Sequence, residues 1–422
     1  VTRTLLLLTH QFPHAWGDTA FVRNEIDALA AHFDEVRIVS FWGDGAPPTT
    51  LPADTAYLGS IGRITPGRAL RGALSLRRLG RLVTVTRQAI GAGRFRARAD
   101  VRAMLTGMAI ARRLDELGAR THPSEPLTVY SFWGVDIAYA LPWFTTAEDT
   151  VAVRVHRYDL DDTSEGYRPL RPAVLAEADL LLTISEAARG YAREHYRGLM
   201  DPARIEVRRL GVPGPSAPPA RPRTRSTVRV VSASSVIPLK RAELILDSVA
   251  ELARRGRRVS WTHFGDGPGS AALRARAIDL QGELPDLEVV LAGRVPVQRI
   301  LDHHRDAAPD VFLNLSTIEG VPVSIMEAAA CGIPAVATDV GATGEIVGRE
   351  RGSGILVPPD ATASDVADAV EQVLADPQDF DPHRVWAERF DAERNAEETA
   401  TAIGALTPAA PRSASRRNAS PR

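Results

Sequence analysis

Two doubly wound α/β domains in series are what this sequence predicts, and three observations carry the prediction. At 422 residues the chain exceeds what one ordinary core organises. Short apolar runs of strand length alternate with amphipathic segments of helix length, as in a parallel sheet covered on both faces. The alternation halts once, at a stretch rich in Pro and Arg over residues 212–226, and then restarts. Hydrophobic residues at 44% and charged residues at 24% are those of a soluble globular protein.

The first domain, residues 1–211, opens with the apolar run 4–9, read as a buried strand. Residues 19–33 follow with helical spacing and 36–41 as the next strand. A basic helical region intervenes, and strands are then expected at 127–132, 151–155, 180–184 and 205–210. The linker at 212–226 is too rich in proline for regular structure. In the second domain, 227–381, strands are expected at 228–232, 259–264, 287–291, 311–315, 334–338 and 355–357. Helices are expected between them at 241–255, 271–280, 297–305, 323–330 and 364–374. A last helix over 382–402 occupies the segment 382–406, and the tail 407–422 is expected to be disordered. Two such domains facing each other would hold ligands at the carboxyl ends of their strands, in the cleft between halves.

One cysteine, Cys331, excludes an internal disulfide and a cysteine-based zinc site, and reads as a small buried helix residue. The apolar run at 5–8 is too short for a signal peptide or a membrane span, which places the protein in the cytosol. The formal net charge of −1 conceals an asymmetry. Between Arg63 and Arg120 stand fourteen arginines and three acids, Asp100, Asp115 and Glu116. They interleave with Leu70, Leu74, Leu79, Leu82, Val83 and Val85, as in amphipathic helices. Such a face suits an anionic membrane surface or a phosphate-bearing acceptor, with a peripheral place on the inner membrane face. A solvated face in an arginine-rich chain is the other reading. Aromatic rings to stack bases are scarce there, so nucleic acid is not an expected partner.

The chain has a single lysine, Lys240, among 51 basic residues. Lysine is a compact point charge, whereas arginine matches flat bidentate partners. Lys240 follows the apolar run 228–231 and precedes a helix opening at Arg241, so it stands beside backbone N–H groups that attract phosphate. Chance within an arginine-biased composition is the plain alternative.

The run from Leu313 to Pro334 is the most informative segment. A strand ends near Leu315, a loop carries Glu319, and Pro322 suits the first turn of a helix. The N–H groups after Gly320 would then be unpaired, a ready phosphate site. Glu319, and Glu327 two turns into the helix, could accept from hydroxyls at opposite ends of one ligand. A sugar nucleotide has that layout: a hexose, a diphosphate and a ribose. As bare spacing, the two glutamates could as well face solvent.

In its full context this run resembles the Glu-x7-Glu signature of retaining glycosyltransferases with the GT-B fold, family 4. The resemblance continues through Pro334 to Glu345 and includes Phe264 to Pro268. The N-terminal half matches more weakly, through residues 11–21 with Glu25 and through Arg154 to Asp159. Both patterns look like bacterial members that build surface polysaccharides.

The resemblance implies two Rossmann-like domains facing across a cleft, the C-terminal one for the donor and the N-terminal one for the acceptor. It implies a retaining hexosyltransferase that moves sugar from a nucleoside diphosphate donor to an acceptor hydroxyl, with no bound cofactor and no metal required. With the basic region, it suggests a glycan or lipid-linked saccharide as acceptor. Lys240 would neutralise the donor diphosphate, with Arg241 in a second positive role. Relatives with an Arg after a Gly a few residues earlier differ from this chain, which has Ser234 and Ser235. Glu319 would hold the transferred sugar and Glu327 the ribose, with Gly320, Val321, Pro322 and Val323 giving backbone around them. Gly265, Asp266 and Gly267 would form a tight turn near the nucleotide. Gly17 and Asp18 would approach the donor from the opposite domain, and His156 would lie near the anomeric centre.

Three motifs are set aside. No Gly-Lys-Ser/Thr follows Gly265, so this is not a Walker loop. Asp159 and Asp161 mimic the metal motif of another transferase fold but read as a loop. His303 and His304 read as solvated helix residues. A sugar-nucleotide epimerase on the same scaffold, or a non-catalytic sugar-nucleotide binding subunit, are the functional alternatives.

Overall fold

The computed structural model describes residues 2–14, 17–43, 45, 50–73, 76–162, 166–219 and 226–407. The chain separates into two compact units, residues 1–210 with 393–422, and residues 211–392.

In unit 1 the order is β1 (Thr4–Thr9), α1 (Thr19–His32), β2 (Glu35–Ser40), β3 (Thr55–Ser60), α2 (Pro66–Ala73), α3 (Leu76–Gly91) and α4 (Ala97–Glu116). Then come β4 (Thr128–Ser131), α5 (Leu141–Phe144), β5 (Thr150–Val155), α6 (Arg157–Leu160), α7 (Arg171–Glu177), β6 (Leu180–Thr183), α8 (Glu186–His195) and β7 (Ile205–Val207). The strands pair in parallel in the order β3-β2-β1-β4-β5-β6-β7. Leu5, Leu6, Leu7 and Leu8 are all fully buried, as an inner strand covered on both faces requires. β3 was not expected from sequence. It is an edge strand paired to β2 alone and only partly buried, so its residues carry no continuous apolar run.

Unit 2 contains β8 (Thr227–Ala233), α9 (Ala242–Arg254), β9 (Arg258–Phe264), α10 (Ser270–Glu283), β10 (Leu287–Gly293), α11 (Val297–Ala307) and β11 (Val311–Asn314). It continues with α12 (Val323–Ala330), β12 (Ala335–Thr338), β13 (Gly354–Val357), α13 (Ala363–Ala375) and α14 (Pro382–Arg389). Its six parallel strands run β10-β9-β8-β11-β12-β13. Both sheets therefore reverse strand order once, at β1/β4 and at β8/β11, and such switch points are where doubly wound sheets take ligands.

The single helix expected over 382–402 is two, α14 and α15 (Ala392–Gly404). The break falls at Phe390 and Asp391, because the Val212 N–H donates to the Phe390 carbonyl and Val212 bridges Asp391. The start of the expected linker thus packs into unit 2, where Trp386 Nε1 donates to the Val212 carbonyl (3.0 Å). Its residues 220–225, and the tail from 408 on, lie outside those described.

α15 packs into unit 1 through a buried polar network. Arg154, at the end of β5, is fully buried with Glu25 of α1 as its ion-pair partner. Arg154 also donates to Thr399 Oγ1 (3.1 Å), and Tyr130 donates to Glu25 (3.2 Å). Burial pushes the Glu25 carboxyl up, against the pull of Arg154. No helix among the described residues is long and apolar enough to cross a membrane.

Candidate functional site

The site in unit 2 is built by two loops at the β8/β11 switch point. After β8 the chain makes a turn at Pro238–Lys240 and enters α9 through Arg241, which is left-handed at φ 47°. The Thr317 N–H after β11 donates to the Leu239 carbonyl at 2.9 Å, which pins the second loop to the first. Lys240 and Glu319, 79 residues apart in sequence, consequently meet: Nζ donates to Oε1 at 2.6 Å. Asn314 Nδ2 lies 3.3 Å from the same oxygen, while its own Oδ1 accepts from the Ser316 N–H. The pair is partly open to solvent, with side-chain exposures of 26% and 10%.

The Glu319–Gly320 backbone is held from the other side by the loop after β12. Gly341 is required there, because its φ is +58° and a Cβ would lie 2.0 Å from the Glu319 carbonyl oxygen. The Ala342 N–H donates to the Gly320 carbonyl. Pro322 then occupies the N-cap position of α12 without a side-chain capping bond, and Gly320, Val321, Val323 and Ser324 present N–H groups without a protein acceptor among the described residues.

Glu327, one turn further along α12, lines a cavity of about 330 Å³. Ser234, Ser235, Phe264, Gly265, Asp266, Arg294, Val295 and Ser324 share its wall, but neither Lys240 nor Glu319 does. Glu327 has no side-chain partner among the described residues, and burial pushes its carboxyl up to about 7. The wall is tight where β8 and β9 end. A Cβ on Gly265, at φ +139°, would lie 1.8 Å from the Ser234 carbonyl oxygen. A Cβ on Gly267 would lie 2.4 Å from the Val236 carbonyl oxygen. Asp266 Oδ1 accepts from the Gly267 N–H (2.8 Å) and the Ser270 hydroxyl, which holds the turn and keeps its carboxyl low. Behind the wall, Trp261 Nε1 donates to Ser232 Oγ (2.9 Å), which bonds His263 Nδ1 (2.8 Å). Burial lowers His263 to about 4, so it is neutral at physiological pH.

Arg241 needs correction. Its guanidinium donates to the carbonyls of Leu315, Ser316 and Pro359, so its charge is committed to bracing the loop after β11. His304 is likewise not solvated but fully buried, edge-on to Phe312 at 6.1 Å.

In unit 1, Asp18 stands at the β1/β4 switch point with both oxygens occupied. It accepts from the N–H groups of His10 (2.6 Å), Gln11 (2.9 Å) and Phe12 (2.9 Å) and from Trp133 Nε1 (3.0 Å). Asp18 therefore shapes the loop on which Gly17 sits and has no oxygen left over for a sugar hydroxyl. Trp133 is flanked by two histidines: His10 stacks parallel at 4.7 Å and His156 tilts over it at 4.3 Å. His156 is buried with neither ring nitrogen hydrogen-bonded to a described residue, Nδ1 lying 4.0 Å from Asp159 Oδ1, and burial with the nearby Arg154 charge holds it well below its ordinary value. Asp159 is not in a loop. It lies buried in α6, accepting from the N–H groups of His156 and Gly134, and burial raises it to about 6. Sequence reasoning missed Asn314, Arg294 and Ser324 in unit 2, and His10 and Trp133 in unit 1. The tryptophan signal was legible, since Trp133 directly follows an apolar strand.

Comparison with known proteins bears on both units. Residues 227–376 match the model of the family described as glycosyl transferases group 1. A D-inositol 3-phosphate glycosyltransferase of Kineococcus radiotolerans is 33% identical over 227 residues, which is 48% of this chain and 51% of that protein. The chain thus spans about half the length of that relative. Two solved structures cover 96% of this chain and 100% of their own. They are the lipopolysaccharide outer core galactosyltransferase WaaB (TM-score 0.64, 15% identity) and HepE of Anabaena in complex with UDP (TM-score 0.62, 16% identity). The fold is GT-B. Unit 1 and unit 2 are its two Rossmann-like domains, and the group 1 match falls within the second.

Proposed function

We propose that this protein is a retaining glycosyltransferase of family 4 that transfers a hexose from a nucleoside diphosphate donor to an acceptor hydroxyl. The observation that carries the reading is the Lys240–Glu319 pair at the loop that leads into the open N-terminus of α12, whose Ser324 shares the cavity wall with Glu327. The cavity is of a size for a nucleoside, and Glu327 is the free acceptor for ribose hydroxyls. The N–H groups at the start of α12 and the Lys240 ammonium would take the diphosphate, whose charge grows as the glycosidic bond breaks. Glu319 would hold hydroxyls of the transferred sugar.

No side chain is committed as nucleophile. The leaving β-phosphate oxygen would accept the acceptor proton on the same face as the new C–O bond forms, which retains configuration. The positive charge is supplied by Lys240 and backbone dipoles, so turnover should survive chelation. The acceptor we infer is a lipid-linked saccharide of surface-polysaccharide synthesis, met at the inner membrane face through the arginine-rich helices α2 to α4. The UDP bound by HepE makes a uridine donor the first to try.

A thermal-shift series with UDP-, GDP- and ADP-sugars tests the donor site, since a bound ligand raises the melting temperature with its affinity. Incubation of the stabilising donor with lipid-linked acceptors, with and without EDTA, should give a product whose anomeric configuration matches the donor. An inverted product would refute retention. No stabilisation by any of these donors would refute the site itself.

A further inference from the structure

The surface of unit 1 carries a larger cavity, lined by none of the candidate donor-site residues. Helices α2 and α4 touch closely at Gly72, where a Cβ would lie 2.6 Å from the Ala109 nitrogen. Between Pro66 and Ala69 of α2 and Ala97 to Thr106 of α4 lies a groove of about 660 Å³. Its walls are mainly apolar, with Ile64, Pro66, Ala69, Val101 and Leu105. Arg98 and Arg102, one turn apart on α4, also line it.

These two arginines differ from several of their neighbours. Arg78, Arg94, Arg112 and Arg120 pair with Asp115, Asp162, Glu116 and Asp149, whereas the side chains of Arg98 and Arg102, like those of Arg71 and Arg87, pair with no described residue, and of these four only Arg98 and Arg102 line the groove. Large apolar side chains also stand in water here: Leu70 beside the groove is 64% exposed, and Val101 within it 46%. An apolar slot flanked by two uncommitted guanidinium groups is complementary to an amphiphile with an anionic head. A peptide would bring backbone donors and acceptors that walls of this kind leave unsatisfied.

We propose that the α2–α4 groove seats one acyl chain of an anionic phospholipid, with the headgroup phosphate held by Arg98 and Arg102. This rests on the membrane-face reading above and narrows it from general charge attraction to a defined lipid site. The test is sedimentation with phosphatidylcholine vesicles, with and without phosphatidylglycerol. The wild type should bind only the latter. Arg98→Gln with Arg102→Gln should weaken binding about fivefold per arginine.

Ala69→Trp is the deciding variant, because it fills the groove while adding apolar surface. Chain insertion predicts that it weakens binding, by about tenfold. Adsorption to an apolar, basic face predicts unchanged or stronger binding, which would overturn the groove and leave the membrane reading standing. Without any variant, monomeric dihexanoyl-phosphatidylglycerol should compete the wild type off vesicles. Failure to compete would count against the groove in the same way. If the wild type ignores phosphatidylglycerol vesicles altogether, both readings fall. Melting temperature and nucleotide binding should be unaltered in every variant.

Discussion

At the β1/β4 crossing of unit 1, Asp18 gives both oxygens to three backbone N–H groups and an indole, and an aromatic stack covers it. At the β8/β11 crossing of unit 2, Glu327 has no partner among the described residues, Lys240 and Glu319 are partly open, and a helix N-terminus lacks a side-chain cap. The topology of the two crossings is the same, and their electrostatics are opposite. A satisfied carboxylate stabilises a loop, whereas an unsatisfied one waits for a ligand that supplies donors. The difference teaches that a switch point locates a site, and only its unpaired groups say whether charge will be bound there.

The sharpest break of this comparison is in unit 1. Arg154→Met leaves Glu25 buried beside no cation, and should cost about 3–5 kcal/mol in chemical denaturation. Adding Glu25→Gln should restore much of that loss, as expected for coupled neighbours. A single variant that unfolds like the wild type would show the pair to be dispensable.

Lys240→Ala addresses unit 2. Its pair is partly exposed, so the fold should lose no more than about 1 kcal/mol. Turnover should fall about 100- to 1,000-fold, the effect of removing one preorganised group from a developing negative charge. Product formation at saturating donor measures it, and wild-type rates would remove Lys240 from the chemistry.

The smallest effect separates the two crossings by pH. Burial raises Glu327 from its ordinary 4.5 to about 7, so the folded protein favours the protonated form. Stability from this group is full below the unfolded value and is lost as pH rises through the folded one. The unliganded protein should therefore melt lower at about pH 8 than at about pH 5 on account of this group, and Glu327→Gln should reduce that difference. Donor affinity should move oppositely, rising across the same window as the carboxylate forms. A pH-independent donor affinity in the wild type would contradict a ribose-holding role.

Much of the architecture was legible before any coordinates. Twelve of the thirteen strands stood out as apolar runs, most plainly the inner ones buried on both faces, and the Pro322 start of α12 matched within a residue. β1, with Leu5 to Leu8, is the plainest case. β3 was hidden because an edge strand needs no continuous apolar run. Arg241 was misread because its charge type suggested a phosphate, while the carbonyls of Leu315, Ser316 and Pro359 come from segments 74 or more residues away. The loop-bracing role of Asp18 was not legible for the converse reason, since its nearest donors lie on its own loop and the indole 115 residues away completes them.

By itself the sequence determined the alternating strands and helices, the lone lysine, and the two glutamates eight residues apart on a loop and its helix. Those follow from local periodicity and residue type, which neighbours along the chain suffice to express. Which polar groups are already spent was decided only by tertiary structure. A hydrogen bond between residues 79 apart, such as Lys240 to Glu319, depends on how loops from different strands meet, and no local pattern encodes that meeting.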